Sequence, residues 1–256
     1  MPVWTGMTIS ARDVDHLSLT LSDPDTAAAQ LQQLGFTLTP EGGESRCLCL
    51  EPHRDDIPNY IELLAGDPPG IVLALNVAET DGEQRTLAWE TEDGLPVEAN
   101  LVVGETGGPL PWLAVQHETP DAFMEPEWVV HPNGALALIA VHAVADQPKE
   151  LGKALGKAWK AEVEEIFDGC TVLRSGTVEV FLWSPPAWQL EYKAIEAMAP
   201  QTKPSIVGVT LAVERTRPLQ ALLRANNVPF AVAEGDRVLT APERSAGIVF
   251  EFLPQV

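Results

Sequence analysis

A strand, a helix and then three strands follow one another four times along this chain, and that order constrains the fold more than any single residue does. The first unit is the clearest. DHLSLTLSD, residues 15–23, alternates so that His16, Ser18, Thr20 and Ser22 share one face and Leu17, Leu19 and Leu21 the other. Asp23 and Pro24 then form a helix start, Asp as N-cap and Pro at the first helical position, and Gly35 ends the helix. Ala27, Ala28, Leu31 and Leu34 make its apolar stripe. Strands are predicted at residues 36–39, 46–51 and 59–64, separated by Gly, Pro and Asp.

The order returns near the C-terminus as a strand at 206–213, a helix at 218–226 and strands at 229–233, 237–240 and 247–253. Aligning Asp23 with Glu214 sets His16 against Val207, and aligning YIELL with VFEFL sets Glu62 against Glu251. Two middle copies are weaker. Residues 70–78 form a strand leading into an acidic segment, 79–92, read as helical, with strands at 97–103 and 110–117. Residues 135–144 lead into a helix at 148–159 and short strands between 163 and 183. A repeat of about 50 to 60 residues exceeds the usual solenoid period, and strands with one polar face pair better into curved sheets than into stacks. The prediction is an α+β chain of βαβββ modules in two paired-module domains, 10–133 and 134–256, divided near Asn133 and Gly134.

A strand with one apolar face needs a core behind it, so the face with His16 is expected to line a cavity. Glu62, between Ile61 and Leu63, is disfavoured inside a strand unless solvated or paired. An imidazole and a carboxylate on one cavity suit a divalent metal. The net charge of -21 works against nucleic acid and anionic membranes, both of which need Lys and Arg. No stretch approaches the length of a bilayer-spanning helix, and MPVWTGMTISARD lacks a basic segment followed by an apolar run, so a cytoplasmic protein with a small-molecule substrate is expected, as monomer or homodimer. The three cysteines, Cys47, Cys49 and Cys170, are read as reduced and structural. There is no P-loop, no G-x-S-x-G and no G-x-G-x-x-G.

DHLSLTLSDPDTAAAQLQQLGFTLTP, YIELLA, QHETPDAF, EPEW at 125–128 and HPNGA at 131–135 together resemble the glyoxalase-like branch of the vicinal oxygen chelate superfamily. The resemblance is close over residues 13–144 and weak beyond. It implies paired sheets curled into half-barrels, with a metal (Zn, Mn, Ni or Fe) held by first and last strands. Carried over, His16 and Glu62 are ligands. The second module offers Val72, which cannot bind metal, and then Gln116 or His117; His16, Glu62 and His117 make the implied set, with Glu251 as third ligand if the first and fourth modules pair. The implied chemistry is a lyase or isomerase in which the ion chelates two adjacent substrate oxygens, Glu62 is ligand and base, and His117 shuttles the proton. Ser18, Gln116 and Trp112 are the expected substrate contacts. A metal-free binding or sequestration protein and a non-haem iron dioxygenase are the alternatives.

Other features have structural readings. His131 precedes a Pro and a tight turn at Asn133 and Gly134. His53 lies among charges in a Pro-rich loop and His142 on an apolar strand. Lys149, Lys153, Lys157 and Lys160 share a solvated helix face. Gly42 and Gly43, and Gly107 and Gly108, are expected in turns or loops over the cavity mouth. Ile139 and Val207, where ligands would stand, predict an inert second half kept for packing or dimerisation.

Overall fold

The computed structural model describes residues 8–40, 45–54, 56–79, 85–90, 96–103, 110–120, 124–197 and 204–255. Chain order begins with strand β1 (Ala11–Leu21), helix α1 (Pro24–Gln33), and strands β2 (Ser45–Arg54) and β3 (Ile57–Ala65). Asp23 caps α1, its side chain accepting the Thr26 amide at 3.0 Å, and Gly35 follows at φ +85°, a backbone that L side chains rarely adopt. Strands β4 (Gly70–Val77), β5 (Arg85–Glu90), β6 (Pro96–Val103) and β7 (Trp112–His117) complete the first sheet, ordered β2-β3-β1-β4-β7-β6-β5.

Two expectations fail here. Residues 36–39 are no strand; the Thr39 amide donates to the Cys47 carbonyl and the Cys47 amide donates to the Thr39 hydroxyl, without a continued ladder among the described residues. The helix expected across 79–92 is overturned by β5, whose RTLAWE pairs residue by residue with β6, so that the ladder overrides a weak local helix preference. The Gly pairs at 42–43 and 107–108 lie outside the described residues.

The second sheet contains β8 (Ala135–Val144), β9 (Glu162–Phe167), β10 (Cys170–Arg174), β11 (Glu179–Trp183), β12 (Ser205–Val213), β13 (Ala231–Val232), β14 (Val238–Thr240) and β15 (Val249–Pro254), in the order β13-β14-β15-β12-β8-β11-β10-β9. Helices α2 (Pro148–Trp159) and α4 (Thr216–Ala225) fall where the periodicity puts them. Helix α3 (Pro185–Glu191) does not; Ser184 starts it by accepting the Ala187 amide, with two prolines in the first turn.

Each sheet is built around two first strands lying antiparallel, β1 on β4 and β8 on β12, each parallel to its own module's last strand. One face of both sheets and the buried sides of α1, α2 and α4 share a continuous apolar core that includes Leu17, Leu31, Ile61, Trp112, Leu138, Trp159, Leu211, Leu219 and Phe250. Burial of each such side chain contributes about 1.5–3 kcal/mol. The halves are also clamped by polar contacts. Asp13, 2% exposed, accepts the amides of Thr177 (2.7 Å) and Val178 (2.9 Å). Gly176 lies against that carboxylate and the Arg12 carbonyl so closely that a Cβ would collide with both.

Candidate functional site

The opposite faces of the two sheets carry the polar chemistry. On the first, a β-bulge in β1 decides what points where. Val14 pairs with Leu75 and His16 with Ala74, so Asp15 is an extra residue and both Asp15 and His16 leave the core face that Val14 and Leu17 occupy. Strict alternation would have buried Asp15 among leucines. An alternation rule therefore does not reveal Asp15, and the only sequence signal for it is an Asp next to His16.

Asp15 is the hub. Its carboxylate takes His16 Nδ1 at 2.7 Å, His117 Nε2 at 3.0 and 3.2 Å and the Asn76 side-chain amide at 3.1 Å, and the side chain is fully buried. Burial alone would raise its pKa; the charges and hydrogen bonds of His117 and His16 outweigh it and hold the carboxyl well below the usual range. An ionised carboxylate only accepts, so each imidazole presents an N–H to it, which leaves Nε2 as the basic nitrogen of His16. Behind the hub, Arg12 bonds Asn76 Oδ1 (3.3 Å) and pairs with Asp56, and the Asn59 amide holds the carbonyls of Val14 and Asp15. The His16 ring stacks on Tyr60, centroids 4.2 Å apart.

Glu62 stands further along the same face. It lies opposite Ser18 in the β1–β3 ladder, and the Ser18 hydroxyl donates to its Oε2 at 2.8 Å. The other expected contacts lie elsewhere. Alternation along β7 puts His117 with Val115 on the polar face and Gln116 with Trp112 on the core face. Trp112 is 1% exposed and packs edge-on against Trp159 of α2, so it is a core residue and no wall of this site. Val72, on β4, lies opposite Ser18. His131 is structural: its Nδ1 accepts the Thr37 amide and its Nε2 donates to the Cys49 carbonyl. His53 likewise donates to the Leu138 carbonyl.

The second half repeats part of this arrangement. Strand β12 carries a bulge between Ile206 and Gly208, and Thr210 lies opposite Glu251 in the β12–β15 ladder, donating to its Oε2 at 2.8 Å. Register therefore equates Ser18 with Thr210, Glu62 with Glu251, and His16 with Gly208, one place beyond the predicted Val207. The imidazole has changed strands: where His16 faces Ala74, Gly208 faces His142. His142 accepts the Trp183 indole N–H on Nδ1 (3.1 Å) and donates from Nε2 to Thr210 (2.7 Å). Burial, against the pull of Glu251, pushes its pKa down to about 4, in line with a neutral ring that accepts on Nδ1. Glu251 also accepts hydrogen bonds from the Tyr192 hydroxyl (2.9 Å) and the Arg237 guanidinium (2.7 Å). Against burial, His142, the Arg237 guanidinium and the Thr210 and Tyr192 hydroxyls hold Glu251 below the ordinary carboxylate value. His142, read as structural, is thus the centre of a polar chain, closed over by Trp188 and Tyr192.

A cleft of about 560 Å³ lined by Pro148, Lys149, Glu165, Phe167 and Leu190 opens on the second half, and none of the candidate residues lines it.

No family model and no curated protein sequence matches the chain. Solved structures do. A xylose isomerase-like TIM barrel/4-hydroxyphenylpyruvate dioxygenase fusion protein superposes with a TM-score of 0.58 at 13% identity over 96% of this chain, which spans only 49% of that one. The Mn(II)-bound glyoxalase from Novosphingobium aromaticivorans gives 0.56 at 11% identity, over 96% of this chain and 82% of that one. A mutant 4-hydroxymandelate synthase from Streptomyces coelicolor gives 0.56 at 11%, over 95% and 92%. This is the vicinal oxygen chelate fold. Its glyoxalase-like form, mixed sheets with few helices, is the α+β architecture expected, and no helix among the described residues is long and apolar enough to cross a membrane.

A vicinal oxygen chelate fold makes metal the natural question, since one of the similar proteins is Mn(II)-bound. A catalytic ion needs about three protein donors converging on one point. Among the described residues no three His, Cys, Asp or Glu side chains converge in that way. The Asp15 bond to His16 Nδ1 leaves His16 Nε2 as a donor, but His117 Nε2 is turned to Asp15 and Glu62 Oε2 to Ser18, so the three do not meet at one point. The described donor set does not fit the ion site that the resemblance implied.

Proposed function

We propose that the polar face of the first sheet binds a small oxygen-bearing organic molecule and that His16 exchanges a proton with it, as in a lyase or isomerase. The observation that carries this is the buried Asp15 carboxylate, bonded to both His16 and His117. Asp15 fixes the His16 tautomer and would steady the imidazolium formed when Nε2 takes a proton, a contribution of about 10²–10⁴-fold for a positioned acid–base group. The Ser18–Glu62 pair supplies a binding and orienting point, and His117 shares the charge on Asp15. Sequestration without turnover is the second reading; the tight internal bonding of both histidines favours it.

Solvent-exchange NMR tests the two. Small ketones and 2-hydroxy acids would be incubated in D₂O with wild type, His16→Ala and Asp15→Asn, each with chelator and with added Zn, Mn, Ni or Fe(II). Deuterium incorporation by chelated wild type, at least about 100-fold slower in His16→Ala, supports proton transfer. Binding without incorporation supports sequestration. Incorporation only with added metal, together with one bound ion per chain, restores the ion-dependent mechanism and overturns this one.

A further inference from the structure

The cleft of about 560 Å³ in the second half differs in character from both polar faces. It lies between the start of α2, the turn from β9 to β10, and α3, and Phe167, Pro186, Ala187 and Leu190 belong to its walls. Leu190 is 70% exposed and Phe167 49%. A lone exposed leucine is ordinary. Two large apolar side chains opening into one hollow, beside a proline, form a continuous apolar surface that marks a place of contact. Hollows of this volume hold small molecules.

The walls are fixed to one another. The Ser184 amide donates to the Gly169 carbonyl at 2.7 Å and ties the start of α3 to the β9–β10 turn. Gly169 has φ +92°, and a Cβ there would lie 2.5 Å from the Ser184 hydroxyl oxygen, so the turn approaches α3 as only glycine allows. Lys149 of α2 pairs with Glu165 of β9. A ligand entering a preformed hollow has little chain to order, which keeps the entropic cost of binding low.

Charge selects the occupant. Asp146, Glu150, Glu165, Asp168 and Glu191 line the cleft together with Lys149. With Lys153, which pairs with Glu150, and Arg237, which pairs with Glu191, these five carboxylates stand against three cations. The start of α2 adds about half a positive charge, too little to reverse the sign. Asp168 lies outside those three pairs and adjoins Phe167 in the chain. The net charge of -21 favours the approach of a cation from a distance.

We propose that this cleft binds a small organic cation with an apolar body, the body lying between Phe167 and Leu190 and the positively charged nitrogen beside Asp168. The site shares no residue with the Asp15 face, so it stands or falls apart from the proton-transfer reading.

Calorimetric titration of the full chain at pH 7 with 4-phenylbutylamine, 4-phenylbutan-1-ol and 4-phenylbutyrate, which share one body and differ in charge, tests it. The amine should bind once per chain, about two- to fivefold tighter than the alcohol, with the carboxylate weakest, and high salt should close the gap between amine and alcohol. Asp168→Asn should close the same gap and leave the alcohol unchanged. Leu190→Ser, on an exposed position, should weaken amine and alcohol alike by about fivefold. His16→Ala should bind the amine as wild type does. No saturable amine binding up to about 10 mM overturns the proposal. So does equal binding of amine and carboxylate, amine binding indifferent to both cleft substitutions, or its loss in His16→Ala. A dimer in sedimentation that Leu190→Ser dissociates overturns it too, because a second copy would then fill the cleft.

Discussion

Asp15 and His117 lie 102 positions apart in the chain and 3.0 Å apart in the fold. Through that bond the last strand of the second module reports to the first strand of the first, and the two imidazoles of the site share one carboxylate.

That carboxylate has an acid signature. Its folded pKa is depressed, so the stability it gives is complete above the unfolded value of about 4 and is lost as pH falls through the folded one. Thermal melts of wild type should drop between pH 4 and pH 2, by roughly 2–4 °C for each kcal/mol lost. Asp15→Asn should melt lower at pH 7 and fall less steeply over that window. Parallel curves for the two proteins would contradict the hub.

His142 titrates in a different window. Its folded pKa, about 4, lies below the unfolded 6.5, so the unfolded chain binds the proton first and stability declines as pH falls from 6.5 to 4. Between pH 7 and pH 5 the decline is about 2 kcal/mol from this group. Buried His131, also pushed down mainly by burial, adds to it with the same sign. Urea unfolding at the two pH values should show a smaller difference in His142→Gln. An unchanged difference would place the titration elsewhere.

The clamp between halves is open to a single methyl group. Gly176→Ala puts a Cβ into the Asp13 carboxylate and the Arg12 carbonyl, and neither backbone nor buried side chain can yield freely. A loss of about 1–3 kcal/mol in urea unfolding is expected. Asp13→Ala should cost a similar amount by leaving the amides of Val14, Thr177 and Val178 without their acceptor. Wild-type stability in Gly176→Ala would refute the close approach.

Thiol chemistry gives a fourth check. Burial pushes Cys49 and Cys170 up to about 12, and burial, aided by Cys49 and Glu62, raises Cys47 as well. A thiolate-selective disulfide reagent at pH 8 should react with the native protein slowly and with three thiols on unfolding. Rapid native reaction of one thiol would show a thiolate that this packing does not provide.

Sequence reasoning recovered α1 because its Asp23 cap and apolar stripe are local, and α2 and α4, which have no side-chain cap, because each follows a first strand in the repeated order; it recovered His16 and Glu62 as residues of one face because alternation along β1 and β3 is unbroken between them. It missed Asp15 because a bulge breaks that alternation one residue earlier. His142 escaped because its partners, Trp183, Tyr192, Thr210 and Glu251, come from four different elements and only folding assembles them. Helix α3 is short and Pro-rich, yet the Ser184-Pro185-Pro186 start was readable.

The bulge in β1 has one further meaning. In a regular strand a residue added to the cavity wall is always paid for by a residue given to the core, so neighbours in sequence never work side by side. A one-residue slip lifts that rule. It lets a carboxylate and an imidazole be specified by adjacent codons and oriented by the backbone that joins them, while Val14 and Leu17 on either side stay in phase with the interior. In β12 the same slip displays Val207 and Gly208, so the backbone device persists where its chemical content has been exchanged.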